Sequence, residues 1–260
     1  MAQRFVITVS GSDASGAAGL QTDNRAILAA GAFPLNVVTA LTLQTSRGVE
    51  SMDLVSPDLI RMHLLGLLRE YPVSVIKAGM LGQADTVGVL VEVLSQYPDL
   101  KLVLDPVCQA TSGRPLLDPE GLQILKDQLL PKTYLLTPNI PELELLSDRT
   151  DVQSKKAEIG AVNGLMEQGC QAVLVKGGHR EDEDCVDRLY SGSKVTEVSA
   201  DRVITENTRG TGCALASLIA GKLAVGTELT SAVSEAKEVL TQALKANSTD
   251  LWPSSGPGFL

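Results

Sequence analysis

Aromatic side chains are scarce: one Trp, four Tyr and three Phe in 260 residues. A surface that binds single-stranded nucleic acid needs aromatic platforms for base stacking, so that class is disfavoured. Positive charge is also in deficit. Against 31 Asp and Glu stand 22 Lys and Arg, for a net charge of −9. Such a chain repels nucleic acid and anionic membrane, so a phosphate ligand has to be met by locally concentrated positive groups. The two histidines, His63 and His179, are too few and too far apart for an ordinary zinc site. The four cysteines, Cys108, Cys170, Cys185 and Cys213, include no C-x-x-C pair. A disulfide framework is implausible in a chain this large, and a reducing cytoplasm is expected. No stretch approaches the roughly 18 apolar residues of a membrane span. The apolar run near the N-terminus meets Gly11-Ser-Asp13 at once, too soon for a secretory signal.

What is present suits a large α/β domain. Hydrophobic residues make up 44% and there are 23 glycines, which fits a substantial core and close approach of backbone to a ligand. Short β-branched runs alternate with helical patterns. Strands are expected at 5–10, 35–43, 73–77, 101–105, 133–137 and 172–176. Helices are expected at 18–30, 57–71, 84–96, 119–130, 141–147, 155–168, 211–224 and 229–246. A hairpin is expected at 184–191 and 194–200 around Ser191-Gly-Ser193, and an irregular tail at 252–260. Strand–helix alternation predicts a mostly parallel sheet with helices on both faces, in one domain spanning 1–260. Ligands of such sheets bind beyond the carboxyl ends of the strands.

Polar clusters follow those ends. Gly11-Ser-Asp-Ala-Ser-Gly-Ala-Ala-Gly19 is a small-residue loop before a helix; it lacks the closing Gly-Lys-Ser/Thr of a Walker A loop and the spacing of a dinucleotide motif. Asp105, after a buried strand, is either a turn former or an oxygen ligand for Mg²⁺. Thr137-Pro-Asn-Ile-Pro-Glu142 reads equally as a capped helix start, with Glu142 in the first turn, or as Asn139 and Glu142 holding metal and water. Lys176 could neutralise phosphate, although a lone lysine at a strand end is usually only solvated. Asn207-Thr-Arg-Gly-Thr-Gly-Cys213 is the strongest signal. Gly210, Thr211 and Gly212 open a long helix whose first N–H groups lack intrahelical partners, an anion site suited to a phosphoryl group in flight. Cys213 lies in the same turn, where the helix terminus is expected to lower its pKa and make it a candidate base. The bland alternative is a small buried residue at a helix start.

Taken in order, these segments resemble the hydroxymethylpyrimidine/phosphomethylpyrimidine kinases of thiamine biosynthesis, in the ribokinase-like superfamily. Thr39-Ala-Leu-Thr-Leu-Gln44, Lys77-Ala-Gly-Met-Leu-Gly82, Leu104-Asp-Pro-Val107 and Val175-Lys-Gly-Gly-His179 also match. The resemblance implies a three-layer α/β sandwich and transfer of phosphoryl from ATP, with Mg²⁺, to a small pyrimidine. A homodimer without nucleic-acid or membrane partners is expected. By the same resemblance Gln44 meets the pyrimidine edge, and Gly11, Asp13, Ala18, Met80 and Val107 line its pocket. Cys213 is the base, Gly210, Thr211 and Gly212 form the anion hole, and Asp105 and Glu142 organise Mg²⁺. Lys176, Thr208 and Lys237 serve the nucleotide. The chain departs from the family pattern at Ala14, Ala17, Cys108, Gln109, Arg209 and Ala214. Arg209 replaces a common His and could add affinity for a phosphorylated substrate. A pyridoxal or pyridoxine kinase of the same branch is the nearest alternative, and a non-catalytic ligand-binding module the alternative of another class.

Overall fold

The structure, a computed structural model, describes residues 4–45, 48–110, 113–179, 184–205 and 208–246. Nine strands form one sheet: β1 (Phe5–Asp13), β2 (Phe33–Thr45), β3 (Gly48–Leu54), β4 (Val73–Ala78), β5 (Lys101–Leu104), β6 (Leu135–Leu136), β7 (Ala172–Val175), β8 (Asp184–Ser191) and β9 (Lys194–Asp201). Their order is β3-β2-β1-β4-β5-β6-β7-β8-β9. The six strands from β2 to β7 run parallel, and antiparallel strands close both ends. All six parallel strands therefore end on one side of the molecule.

Alternation along the strands feeds two cores. Ile7, Val9, Ile76, Leu102 and Leu104 point to one face, where they pack with α2 (Pro57–Glu70), α3 (Ala84–Gln96), α4 (Pro119–Ile124), α5 (Ile140–Ser147) and α6 (Lys155–Glu167). Val6, Val75, Val103 and Leu174 point to the other, against α1 (Gly19–Ala29), α7 (Thr211–Ala224) and α8 (Leu229–Ala246). The result is the three-layer sandwich of the ribokinase-like style. Local chemistry starts the helices: Ser56 caps α2 with Pro57 at its first position, Asp118 caps α4, and Ser154 caps α6.

The expected strands and helices are all present. One strand was not foreseen. β3 is a charged edge strand in which Glu50, Ser51, Asp53 and Leu54 are exposed, so it lacks the β-branched apolar run that marks a strand in sequence. The helix expected over 119–130 is α for only one and a half turns and continues as a π turn at Leu125–Leu129. Ser191 pairs with Lys194 across the foreseen hairpin. Asn207 and the tail 252–260 lie outside the described residues. No described helix is long and apolar enough to cross a membrane.

Candidate active site

The strand ends and the opening of α7 surround a cavity of about 1510 Å³, and all of the expected site residues line it. Two backbone approaches shape its floor. Gly210 has φ +76°, and a Cβ there would lie 2.0 Å from the Ala17 carbonyl oxygen. Gly19 has φ +58°, and a Cβ there would lie 2.3 Å from the Gly11 carbonyl oxygen. Only glycine serves at such positions. The loop after β1 is thereby pressed against the start of α7.

No side chain caps α7. Thr211 N donates to the Thr208 carbonyl oxygen at 3.4 Å, and Gly212 and Cys213, which follow it in the first turn, line the cavity at the positive end of the helix dipole. The Lys176 ammonium stands beside this opening, 3.1 Å from where a Cβ on Gly212 would be. It also lies 2.9 Å from Asp105 Oδ1 and 3.6 Å from Glu142 Oε2. Burial pushes the Asp105 carboxyl up, but the ammonium groups of Lys176 and Lys77 outweigh it and hold the group below its ordinary value. For Glu142 burial wins over Lys176, and the neighbouring Asp105 adds to the rise. Burial opposes the charge on Lys176, yet the two carboxylates overcome it and raise its pKa. Asp105 Oδ2 is buried without a hydrogen-bond partner among the described residues.

Cys213 keeps part of its surface open at the cavity floor. Its thiol is pushed up to about 12, first by loss of solvent and then by Asp105 and Asp23, against the opposing pull of Lys77. The lowering expected from the helix terminus is thus overturned: desolvation and two carboxylates outweigh a partial charge. Beneath α7 lies a fully buried ion pair, Lys77 Nζ to Asp23 Oδ1 at 2.7 Å. Asp23 also accepts from Thr8 Oγ1 at 2.7 Å and from Ser217 Oγ, one turn beyond Cys213, at 2.8 Å.

The other end of the cavity has an apolar wall. Met80 packs with Ala40 and Leu116, and Val107 borders them. A Cβ on Gly11 would lie 3.0 Å from Met80 Sδ. Gln44, near the end of β2, adds one amide to this slot. Apolar side chains beside an amide suit a small heteroaromatic ring.

The family-model comparison identifies residues 13–258 with phosphomethylpyrimidine kinase. The chain belongs to the phosphomethylpyrimidine kinase family. The hydroxymethylpyrimidine/phosphomethylpyrimidine kinase of Escherichia coli (strain K12) is 36% identical over 252 residues, covering 96% of this chain and 95% of that one. Among solved structures, the phosphomethylpyrimidine kinase of Clostridium difficile 630 matches with TM-score 0.81 and 31% identity, covering 93% of this chain and 99% of that one. Bacillus subtilis pyridoxal kinase in complex with ADP matches with TM-score 0.86 and 27% identity, covering 94% and 92%.

Within this phosphomethylpyrimidine kinase family member, several side chains are already committed to protein partners. Asp13 turns into its own loop: Oδ1 accepts from Ser15 N at 2.9 Å, and Oδ2 from Ala18 N at 3.0 Å and Arg209 Nη2 at 3.2 Å. Asn139 and Glu142 form a capping box on α5, so the capping alternative accounts for Asn139 and also engages Oε2 of Glu142, which accepts from Asn139 N at 2.7 Å. Lys237 is held by Asp187 Oδ2 at 2.7 Å and lies 3.1 Å from Cys185 Sγ. Thr208 is exposed at the rim, its carbonyl accepting from Thr211 Oγ1 at 2.8 Å. Sequence reasoning missed Asp187, and it missed the Asp23–Lys77 pair. Asp187 sits in a mixed-polarity hairpin and gives no signal. Lys77 does: a lysine inside an otherwise apolar buried strand has to find a partner.

Proposed function

We propose that this chain transfers the γ-phosphoryl group of ATP to the hydroxymethyl oxygen of 4-amino-5-hydroxymethyl-2-methylpyrimidine, and a second one to the resulting monophosphate, in thiamine biosynthesis. One observation carries the proposal: the uncapped start of α7, a lysine and two carboxylates converge at one end of a cavity whose other end is an apolar slot bearing Gln44. That described residues of all parts share one sheet supports a single kinase domain.

In this reading the ring lies between Gly11, Ala18, Met80 and Val107, with its polar edge on Gln44. Asp13 shapes the loop that forms one wall. The amides of Gly210, Gly212 and Cys213, joined by that of Thr211 once it leaves the Thr208 carbonyl, hold the equatorial oxygens of the transferring group, whose charge spreads over them in a loose transition state. Lys176 turns its ammonium to the nucleotide phosphates, and Thr208 and Lys237 border the nucleotide. Cys213 takes the acceptor proton through the small ionised fraction that its raised pKa allows. The second acceptor is a phosphate oxygen, already anionic, and needs no base.

A magnesium ion fits the donor set. Asp105 has an unpartnered buried oxygen and Glu142 lies across Lys176 from it. Among the described residues no group of three or more His, Cys, Asp or Glu could hold a metal, and Mg²⁺ is commonly held by one or two carboxylates plus phosphate oxygens and water. Bound there, it would neutralise phosphate charge.

An assay of ADP release with the hydroxymethylpyrimidine, its monophosphate and pyridoxal tests the proposal. Turnover of both pyrimidines well above pyridoxal is expected. Turnover of pyridoxal alone would favour the sister activity, and no ADP release with any of them would favour a binding module.

A further inference from the structure

We propose that Arg209 recognises the phosphate of the enzyme's own first product and is the specificity determinant of the second transfer. This rests on the function proposed above. The guanidinium is fixed from two sides: Nη2 donates to Asp13 Oδ2 at 3.2 Å, and Nη1 to the Thr45 carbonyl oxygen at 3.3 Å. Thr45 follows Gln44 at the ring end, and Arg209 itself precedes Gly210 at the anion hole. The group therefore stands between the ring slot and the start of α7. A phosphate carried on the hydroxymethyl carbon has to lie in that interval, because its oxygen must reach the phosphoryl held by α7.

The donor inventory agrees with the position. Arginine offers five N–H donors in a planar fork. Here Nε is buried and has no partner among the described residues. A buried donor left unpaired is costly, so an acceptor is called for. The Asp13 carboxylate, almost fully buried, fixes the fork in orientation without using Nε. A phosphomonoester brings nearly two negative charges into a cavity that already holds Asp13, Asp105 and Glu142. Lys176 lies between Asp105 and Glu142, and Lys237 is engaged by Asp187. The arginine fork matches two phosphate oxygens, which an alcohol acceptor does not possess.

The test compares wild type, Arg209→Met and Arg209→Lys by kcat/KM for the monophosphate divided by kcat/KM for the alcohol. In Arg209→Met this ratio is expected to fall at least about tenfold, the loss of one charged hydrogen-bonding group. Arg209→Lys keeps a charge beside Asp13 but loses the fork, and its ratio is expected to fall less. It carries the test if the Met variant does not fold. A ratio within threefold of wild type in the folded variants, with both steps weakened in parallel, would overturn the inference and leave Arg209 as a strut for the loop. A wild-type enzyme inert toward both pyrimidines would instead overturn the function on which the inference stands.

Discussion

Lys176 Nζ lies 2.9 Å from Asp105 Oδ1, joining the residue after β7 to the residue after β5 across the mouth of the cavity. The ion pair keeps Asp105 ionised despite its burial, and it places the ammonium beside the start of α7. Replacing Lys176 by Met removes both effects. We expect kcat to fall by roughly 10²-fold or more, as for loss of one preorganised charge-stabilising group, and the Asp105 pKa to rise. Steady-state kinetics and carboxyl titration by NMR check the two halves separately.

Glu142 and Asp105 are shifted in opposite directions, Glu142 upward and Asp105 downward. As pH falls, the raised group takes its proton first. The acid limb of kcat/KM for ATP is therefore expected to report Glu142 and to lie above the ordinary glutamate value. In Glu142→Gln the remaining limb should move to lower pH, toward Asp105. An acid limb that does not move in this variant contradicts the assignment.

In the proposed mechanism Cys213 bears on one transfer only. Its thiol, pushed up to about 12 by burial and neighbouring carboxylates, is protonated at neutral pH. Below that pKa the ionised fraction grows tenfold per pH unit. The first transfer should accelerate between pH 7 and pH 9 without a plateau, roughly in proportion to the thiolate that a general base requires. The second should lack this rise. Cys213→Ala should abolish the slope and damage the first transfer far more than the second. Equal loss in both would make the thiol a packing or phosphate-contacting group.

The close backbone approach at Gly210 is equally specific. A methyl group there meets the Ala17 carbonyl at 2.0 Å, on a backbone at φ +76°. Gly210→Ala should displace the start of α7 from the loop after β1, lowering kcat more than it lowers the melting temperature. Gly192, also at positive φ but with open space around its Cβ position, is the control: Gly192→Ala should be strained locally and leave kinetics intact.

The Lys77–Asp23 pair predicts a stability pattern. Lys77→Met leaves Asp23 buried and uncompensated, an expected loss of about 3–5 kcal/mol in denaturant unfolding. The double variant Lys77→Met with Asp23→Leu should recover most of it, since removing both charges removes the penalty. No recovery would show that the contacts of Asp23 with Thr8 and Ser217, not charge compensation, dominate.

Much of this architecture was legible in the sequence because its signals are local. Near-continuous apolar runs such as Lys101-Leu-Val-Leu104 mark parallel strands, and the rule that ligands bind beyond strand ends directed attention to Asp105, Glu142 and Lys176. The glycines around Gly210 and Gly19 pointed to close approach of a ligand to the backbone, but not to the packing of the loop after β1 against the start of α7. What escaped was pairwise and long-range. Nothing in the sequence says that Asp13 turns to Arg209, 196 positions away, that Lys237 faces Asp187, or that Lys77 faces Asp23. The rise in the Cys213 pKa was missed for the same reason: the helix terminus is visible in the chain, whereas the carboxylates converging on the thiol are not. β3 was missed because an edge strand is selected for charge and carries little apolar pattern.

In the proposed mechanism the start of α7 grips the phosphoryl group while the acceptor oxygen lies beside Cys213. A crystal structure with the hydroxymethylpyrimidine and a non-hydrolysable ATP analogue measures this directly. We expect γ-phosphate oxygens within hydrogen-bonding distance of the Gly212 and Cys213 amides, and the hydroxymethyl oxygen next to Cys213 Sγ. A γ-phosphate held elsewhere in the cavity, with those amides facing only solvent or protein, would contradict it.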